Sequence, residues 1–276
     1  MKAPTNPRLQ SLPVYHLLGV PVNAINVELL FELVEDAIAS GNRRVIANHN
    51  LHSVYLYHHD AKMRQYYSLA SATYVDGTPM IQLGRLLGYP LRMEHRITAI
   101  QWIKPLLSHG IARGWRTFLL GGKPGTAARA ADILRQEIPG LQIESSHGYF
   151  NPTPGHPEAE DLLAAIARYR PNILCLGMGM PRQEHWIADF FDRIDANLVF
   201  NLGGFMELLT GELPLPPRWV GPAGVEWLFR LVTRPRRVWR RYLVEPWALV
   251  PWLVRDLAGR PRKGQRTGDV VGTRTH

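Results

Sequence analysis

Apolar residues in "VELLFELVEDAIAS" recur at Leu29, Leu30, Leu33 and Ala37. That spacing marks one face of a helix, and Gly41 just beyond it supplies a stop. The next run, "NRRVIANHN", is short and apolar and enters a polar turn, which reads as a strand. Later segments repeat the alternation. "WRTFLLGG" predicts a strand that stops at two glycines, and "GTAARAADILRQEIPG" a helix closed by Pro139 and Gly140. "LQIESS", "PEAEDLLAAIARYRP", "NILCLGMG", "QEHWIADFFDRI" and "ANLVFNLGG" continue as strand, helix, strand, helix and strand. Strands separated by helices of this length predict an α/β fold: a Rossmann-like parallel sheet with helices on both faces. Ligands of such sheets bind beyond the carboxyl ends of the strands. The polar exits "NHN", "DGTP", "GGKPG", "GMGMPRQE" and "NLGGF" are therefore the candidate site.

These exits carry different chemistry. In "FLLGGKPGTAARAA", Gly121 and Gly122 would let a backbone approach a phosphate, and the following helix would offer N–H donors. A nucleotide diphosphate suits such a turn, and so does a tight strand–helix connection with no ligand. It is neither a P-loop nor a dinucleotide G-x-G-x-x-G fingerprint. Glu144, about where a ribose-binding acid would sit, leaves an NAD-dependent oxidoreductase as a rival. Asp76, in "ATYVDGTPM", could take a proton from a substrate hydroxyl or close its own turn. Gln183 and Glu184, in "MPRQEHWI", could hold a sugar or ribose, or cap a helix. Lys123, Tyr149 and Gly177 complete the set of nucleotide- or sugar-binding candidates. The histidines between His49 and His59 have no carboxylate or cysteine at ligand spacing, so no metal site and no cofactor is expected.

Composition changes the picture only at the end of the chain. The 276 residues are 46% apolar, enough for a substantial core. A single cysteine, Cys175, leaves no internal disulfide. No signal peptide or spanning segment is evident, since "YLVEPWALVPWLV" is interrupted and shorter than the ~20 residues needed. The net charge is +9, and residues 218–276 hold thirteen Lys/Arg against four acids, so the rest is neutral. The expected organisation is an α/β core over 1–211, a basic membrane-associating appendage over 212–258, and a disordered tail over 259–276. A continuous helix from Val225 would align Arg230, Arg234, Arg237 and Arg241 in one stripe, with Arg240 beside it and Pro235 as a kink or a second start. Trp239, Trp247 and Trp252 suit a membrane interface. The same charge admits a nucleic-acid-binding protein as a weaker alternative.

The ordered set "NHN", "VDG", "GRLLGYPLRMEHRIT", "FLLGGKPGTAARAADIL", "PGLQI", "HGYF", "LGMGMPRQEHWI" and "GVEWLFRLVTRPRRVWRRYL" resembles the WecG/TagA/CpsF family of bacterial glycosyltransferases. The resemblance runs from about Gly19 to Leu243. It implies a Rossmann-like, inverting, metal-independent enzyme peripheral to the cytoplasmic face of the inner membrane. Such an enzyme moves a sugar from a UDP-sugar to a saccharide on undecaprenyl diphosphate, without nucleic acid. Asp76 matches the family's proposed base, Asn48 stands where some members have an active-site threonine, and Arg96 joins them as a catalytic candidate. The family's Arg-x-Thr-Gly-x-Asp is Arg96, Thr98, Ala99 and Gln101 here; its Phe-Asp is Met206 and Glu207; its Arg-Ala-Pro is Leu215, Pro216 and Pro217. These differences leave the donor open, a hexose or an N-acetylhexosamine, for an exopolysaccharide or other surface polysaccharide. Arg230, Arg234, Arg237, Arg240 and Arg241 are expected to meet a lipid diphosphate or the membrane. The tail could close the site in its own subunit or, in a homo-oligomer, in a neighbour.

Overall fold

The computed structural model describes residues 12–217, Val220 and 224–259. The expected tail over 259–276 lies, beyond Gly259, outside the described residues.

A two-stranded antiparallel hairpin comes first, β1 (Val14–Leu17) and β2 (Val20–Asn23). Six parallel strands follow: β3 (Arg44–His49), β4 (Ala70–Val75), β5 (Arg116–Gly121), β6 (Gln142–Ser146), β7 (Ile173–Gly177) and β8 (Leu198–Asn201). Their spatial order is β4-β3-β8-β7-β5-β6. The alternation read from the sequence is therefore present as an all-parallel sheet with helices on both faces. The first helix is Val27–Ser40, capped at its start by the Asn26 side chain and closed at Gly41.

Two apolar layers explain why β3, β7 and β8 are buried at every position. A strand covered on both faces reads as a continuous apolar run. One layer gathers Ile46, Trp102, Leu119, Cys175 and Phe200; the other gathers Val45, Phe118, Leu174, Trp186 and Val199. Trp102 lies fully buried in the Ala99–Ile111 helix, and cutting such a side chain to alanine costs about 3–5 kcal/mol.

The basic segment is not one helix. It breaks at Arg234, where φ is −147° and ψ 57°, and restarts with Pro235 in the first turn. The helices are Glu226–Thr233, Pro235–Leu243, Glu245–Ala248 and Val250–Ala258. Pro235 has no N–H to donate and fits a first turn, so it divides what the periodicity alone would join. This is a correction to the single arginine stripe. The appendage folds back onto the core. Asp256 accepts from the Leu18 backbone N–H at 2.6 Å, and His58 stacks on Trp252 at 3.8 Å between ring centroids. His52 Nδ1 meets Glu245 Oε2 at 2.6 Å, and Leu249 is buried. Trp252 therefore packs on the core, while Trp239 and Trp247 stay exposed.

Candidate active site

β4 and β3 run side by side with Val75 paired to His49, so Asp76 and Asn50 leave the sheet together, two residues beyond the paired Tyr74 and Asn48. Asp76 follows Val75 directly, and its backbone N–H donates to His49 O at 2.9 Å, which ties the turn to β3. Arg96 reaches the same edge because it bridges to Val75 as a short added strand, with the Ile97 N–H on Val75 O at 3.1 Å. Arg96 is buried and pairs with Glu226 of the appendage. Arg241 donates to Asn50 Oδ1 at 3.2 Å. Burial pushes the Asp76 carboxyl above the usual carboxylate range and Glu226 pushes it the same way, against the opposing pull of Arg230, Arg241 and Arg96. One partly buried carboxyl thus faces three guanidinium groups, two of them carried by the appendage of the same chain. Crowding by protein disfavours the charge on Arg230, but Tyr242, Asp76 and Glu226 outweigh it and hold the group cationic.

The break at Arg234 sends the other arginines elsewhere. Arg237 and Arg234 act on Glu207, in the helix that follows β8. Burial is the largest influence on that carboxyl, and it lies above the usual range. Arg237 also approaches the Gly179 turn after β7. Arg240 is exposed. The arginines expected in one row therefore form two groups, Arg230 with Arg241 at Asp76, and Arg234 with Arg237 at Glu207. Glu207 and Glu226 were absent from the site candidates. In the sequence Glu207 stands out only as a departure from the family pattern, and nothing signals that Glu226 folds back onto Arg96.

The glycine turn after β5 differs from the phosphate cradle it suggested. A side chain at Gly121 would run into the Gly177 backbone. Gly122 has φ +65°, and a Cβ there would lie 2.7 Å from Thr126. Close strand packing therefore accounts for both glycines. The Gly122 N–H is already donated to Gly177 O at 3.1 Å. At the start of the Thr126–Glu137 helix, Glu212 accepts from Thr126 Oγ1 at 2.7 Å and pairs with Arg129. A carboxylate of the chain itself thus takes the place where an anion was expected. Of the backbone donors expected near Gly121 and Gly122, the Gly122 N–H is thus spent within the fold. Lys123 is exposed beside this turn.

Gln183 and Glu184 are fully buried rather than set in an open helix turn. Gln183 Nε2 donates to Glu184 Oε1 at 2.8 Å, and Asn201 Nδ2 donates to the same oxygen at 2.9 Å. Asn48 Nδ2 in turn donates to Asn201 O at 3.0 Å and Asn201 Oδ1 at 3.1 Å. These residues form a polar floor beneath the strand ends. Tyr149 is exposed after β6, at the sheet edge opposite β4. The loop that carries it folds back over β5, with the Gly148 N–H on Gly122 O at 2.9 Å, and the Arg182 guanidinium lies 5.9 Å from the Tyr149 ring centroid. No group of three His, Cys, Asp or Glu side chains suited to a metal occurs among the described residues. No helix among them is long and apolar enough to cross a membrane.

The profile of the Glycosyl transferase WecG/TagA/CpsF family matches residues 15–263. Among curated proteins, the N-acetylglucosaminyldiphosphoundecaprenol N-acetyl-beta-D-mannosaminyltransferases of Staphylococcus aureus strains NCTC 8325 / PS 47, COL and MSSA476 are similar. Each is 25% identical over 203 residues, covering 74% of both chains.

Proposed function

The chain belongs to the WecG/TagA/CpsF glycosyltransferase family, and we propose that it transfers a hexose or N-acetylhexosamine from a UDP-sugar to a saccharide on undecaprenyl diphosphate. The observation that carries this reading is the convergence of Arg96, Arg230 and Arg241 on Asp76 at the strand ends. The S. aureus relatives, by their name, act on a diphosphoundecaprenol acceptor, and a diphosphate acceptor and a diphosphate donor both need cationic partners. Family membership leaves the oxidoreductase and nucleic-acid readings without support.

In this reading Asp76 takes the proton from the acceptor hydroxyl. That oxygen forms a bond to the anomeric carbon from the face opposite the nucleotide. The bond from carbon to the diphosphate oxygen breaks, and UDP leaves with the electron pair. One displacement inverts the anomeric centre. A carboxyl whose proton affinity is raised is a better base at neutral pH than an ordinary aspartate, and a positioned base contributes about 10²–10⁴-fold. Guanidinium groups, rather than a metal, offset the charge growing on the leaving diphosphate. The two arginine groups allow one diphosphate at Asp76 and another near Glu207.

The appendage also supports a peripheral membrane position at the cytoplasmic face. Trp227, Val232, Trp239, Trp247 and Val254 are exposed on the appendage that also carries the arginines. Apolar side chains mixed with cationic ones suit an anionic lipid surface, where each Lys or Arg contributes about 1 kcal/mol. Labelled UDP-sugars screened against lipid-diphosphate mono- and disaccharides test the reaction, and no transfer from any donor would overturn it. Flotation with anionic vesicles tests the membrane position: wild type should float, and a Trp239→Ser/Trp247→Ser/Val254→Ser variant should not.

A further inference from the structure

Two residues of the appendage dock on one turn of the core. The Leu51–His59 helix starts next to the Asp76 turn, with Asn50 as its cap. Asn50 Oδ1 accepts from the Ser53 backbone N–H at 3.1 Å, and Ser53 Oγ accepts from the Asn50 N–H at 2.9 Å, so the cap holds Asn50 in one orientation. Arg241 donates to that same Asn50 oxygen. Two residues on, His52 Nδ1 meets Glu245 Oε2; a carboxylate only accepts, so the ring nitrogen is the donor. The side chains of this pair are 17% and 14% exposed, whereas a fully solvated pair would restrain little.

Arg241 needs such a restraint. Burial disfavours its charge and Arg230 adds like-charge repulsion, while Tyr242, Asp76 and Glu245 pull the other way without making up the difference. A guanidinium so placed gains by swinging out to water. The Pro235–Leu243 helix that carries it is slung between two carboxylates, Glu226 on Arg96 before it and Glu245 on His52 after it. Val238 is buried midway along that helix. The backbone leaves the helix at Val244, and Glu245 is the first polar contact with the core after Arg241 among the described residues. Leu249, Trp252 and Asp256 lie further along, and grip Leu17, Leu18 and His58 instead.

We propose that His52 and Glu245 are positioning residues: their hydrogen bond fixes the turn after Leu243 and so keeps the Arg241 guanidinium at Asn50 and Asp76 during transfer. The inference rests on the glycosyltransferase reading, and adds to it two residues that act through Arg241.

The test reads transfer kinetics and the pH profile of folded, full-length variants. His52→Ala and Glu245→Ala are expected to lose roughly tenfold in kcat/KM, part of the loss on the order of 10²-fold for removing a charge-stabilising group. His52→Asn sets an NH₂ where Nδ1 stood, and Glu245→Gln keeps an acceptor; both are expected to stay within about threefold of wild type. In an Arg241→Ala background neither alanine should cost more than about twofold further. The acidic limb of kcat/KM is a reading that loosened packing would not move. Burial and Glu226 raise the Asp76 titration, and Arg230, Arg241 and Arg96 lower it. With Arg241 displaced, Asp76 keeps its proton to higher pH, so the limb of both alanine variants should move up. Removing the Glu245 charge by itself would move it down. Asp256→Ala, which frees the end of the appendage from Leu18, should leave the limb in place.

Wild-type kcat/KM in the alanine variants would overturn the proposal. So would losses that multiply with Arg241→Ala, a limb that stays or moves down, no recovery in His52→Asn, or an equal upward shift in Asp256→Ala. If Glu245→Ala does not fold, His52→Ala and His52→Asn decide. Any of these failures in an enzyme that transfers sugar removes this inference only. Absence of transfer by wild type removes the reading beneath it.

Discussion

The turn after β5 and the turn after β4 present the same face to a sequence reader, a polar exit from a strand into a helix. The structure separates them. After β5, the Gly122 N–H is spent on Gly177, both glycines are explained by packing, and Glu212 occupies the helix start. After β4, Asp76 faces Arg96, Arg230 and Arg241, and no hydrogen bond within the chain takes up its carboxylate among the described residues. A strand exit becomes a site where the fold leaves chemical capacity unspent. Glycines and a helix N-terminus give access to a phosphate only if the chain has not already used their donors.

Substitutions on the two sides should therefore differ widely. Asp76→Asn keeps the shape and removes the base; transfer is expected to fall about 10²–10⁴-fold in kcat, measured in single-turnover assays on the folded variant. Full activity would remove Asp76 as the base. Arg241→Ala is next, on the order of 10²-fold in kcat/KM, the scale of losing one stabilising group for developing negative charge. Lys123→Ala, beside the glycine turn, should change kcat/KM by less than about threefold. If Lys123→Ala matched Arg241→Ala, the diphosphate would belong at the glycine turn and the contrast would collapse.

The pH profile offers a finer separation. The base must be ionised, so activity is present above the Asp76 titration and lost as pH falls through it. Burial and Glu226 raise that titration above the usual carboxylate range, so the acidic limb of kcat/KM should lie above it too. Glu226→Gln removes a like charge, and the limb should move to lower pH. Arg230→Ala removes an opposite charge, and the limb should move to higher pH. Shifts of opposite sign from two appendage residues, read on one core carboxylate, would show the appendage acting on the core site. Lys123→Ala should leave the limb in place.

The sheet was legible because periodicity and glycine stops are local properties, and the strands beyond Asn42 fall where the apolar runs place them. Asp76 was legible as a residue type at an exit. Its neighbours were not. Arg241 is 165 positions away in the chain, and only the break at Arg234 decides which arginines return to Asp76. A helical stripe predicts neighbours along one axis; Pro235 starts a new axis, and the periodicity on either side carries no information about the angle between them. Gln183 and Glu184 mislead for the opposite reason. A polar pair at a helix start reads as exposed, and their burial depends on Asn201 from a different strand. The Glu212 clasp fails to show because its partners, Thr126 and Arg129, lie more than 80 residues earlier.

The smallest expected effect is the most direct check on the glycine turn. Hydrogen bonding from Thr126 and the charge of Arg129 hold the Glu212 carboxyl below its usual range. Glu212 is exposed, so screening keeps its contribution to stability under about 1 kcal/mol. Glu212→Gln retains an acceptor for Thr126 Oγ1 and removes one negative charge from the helix start. If the donor diphosphate bound there, it would no longer compete with a carboxylate, and UDP affinity should rise several-fold in low salt. If the diphosphate binds among the appendage arginines, UDP affinity by calorimetry should change by less than about twofold. A marked gain would return the nucleotide to the turn where the sequence alone first placed it. An unchanged affinity would mean that the helix start binds its own chain's carboxylate and leaves the substrate to Asp76 and its arginines.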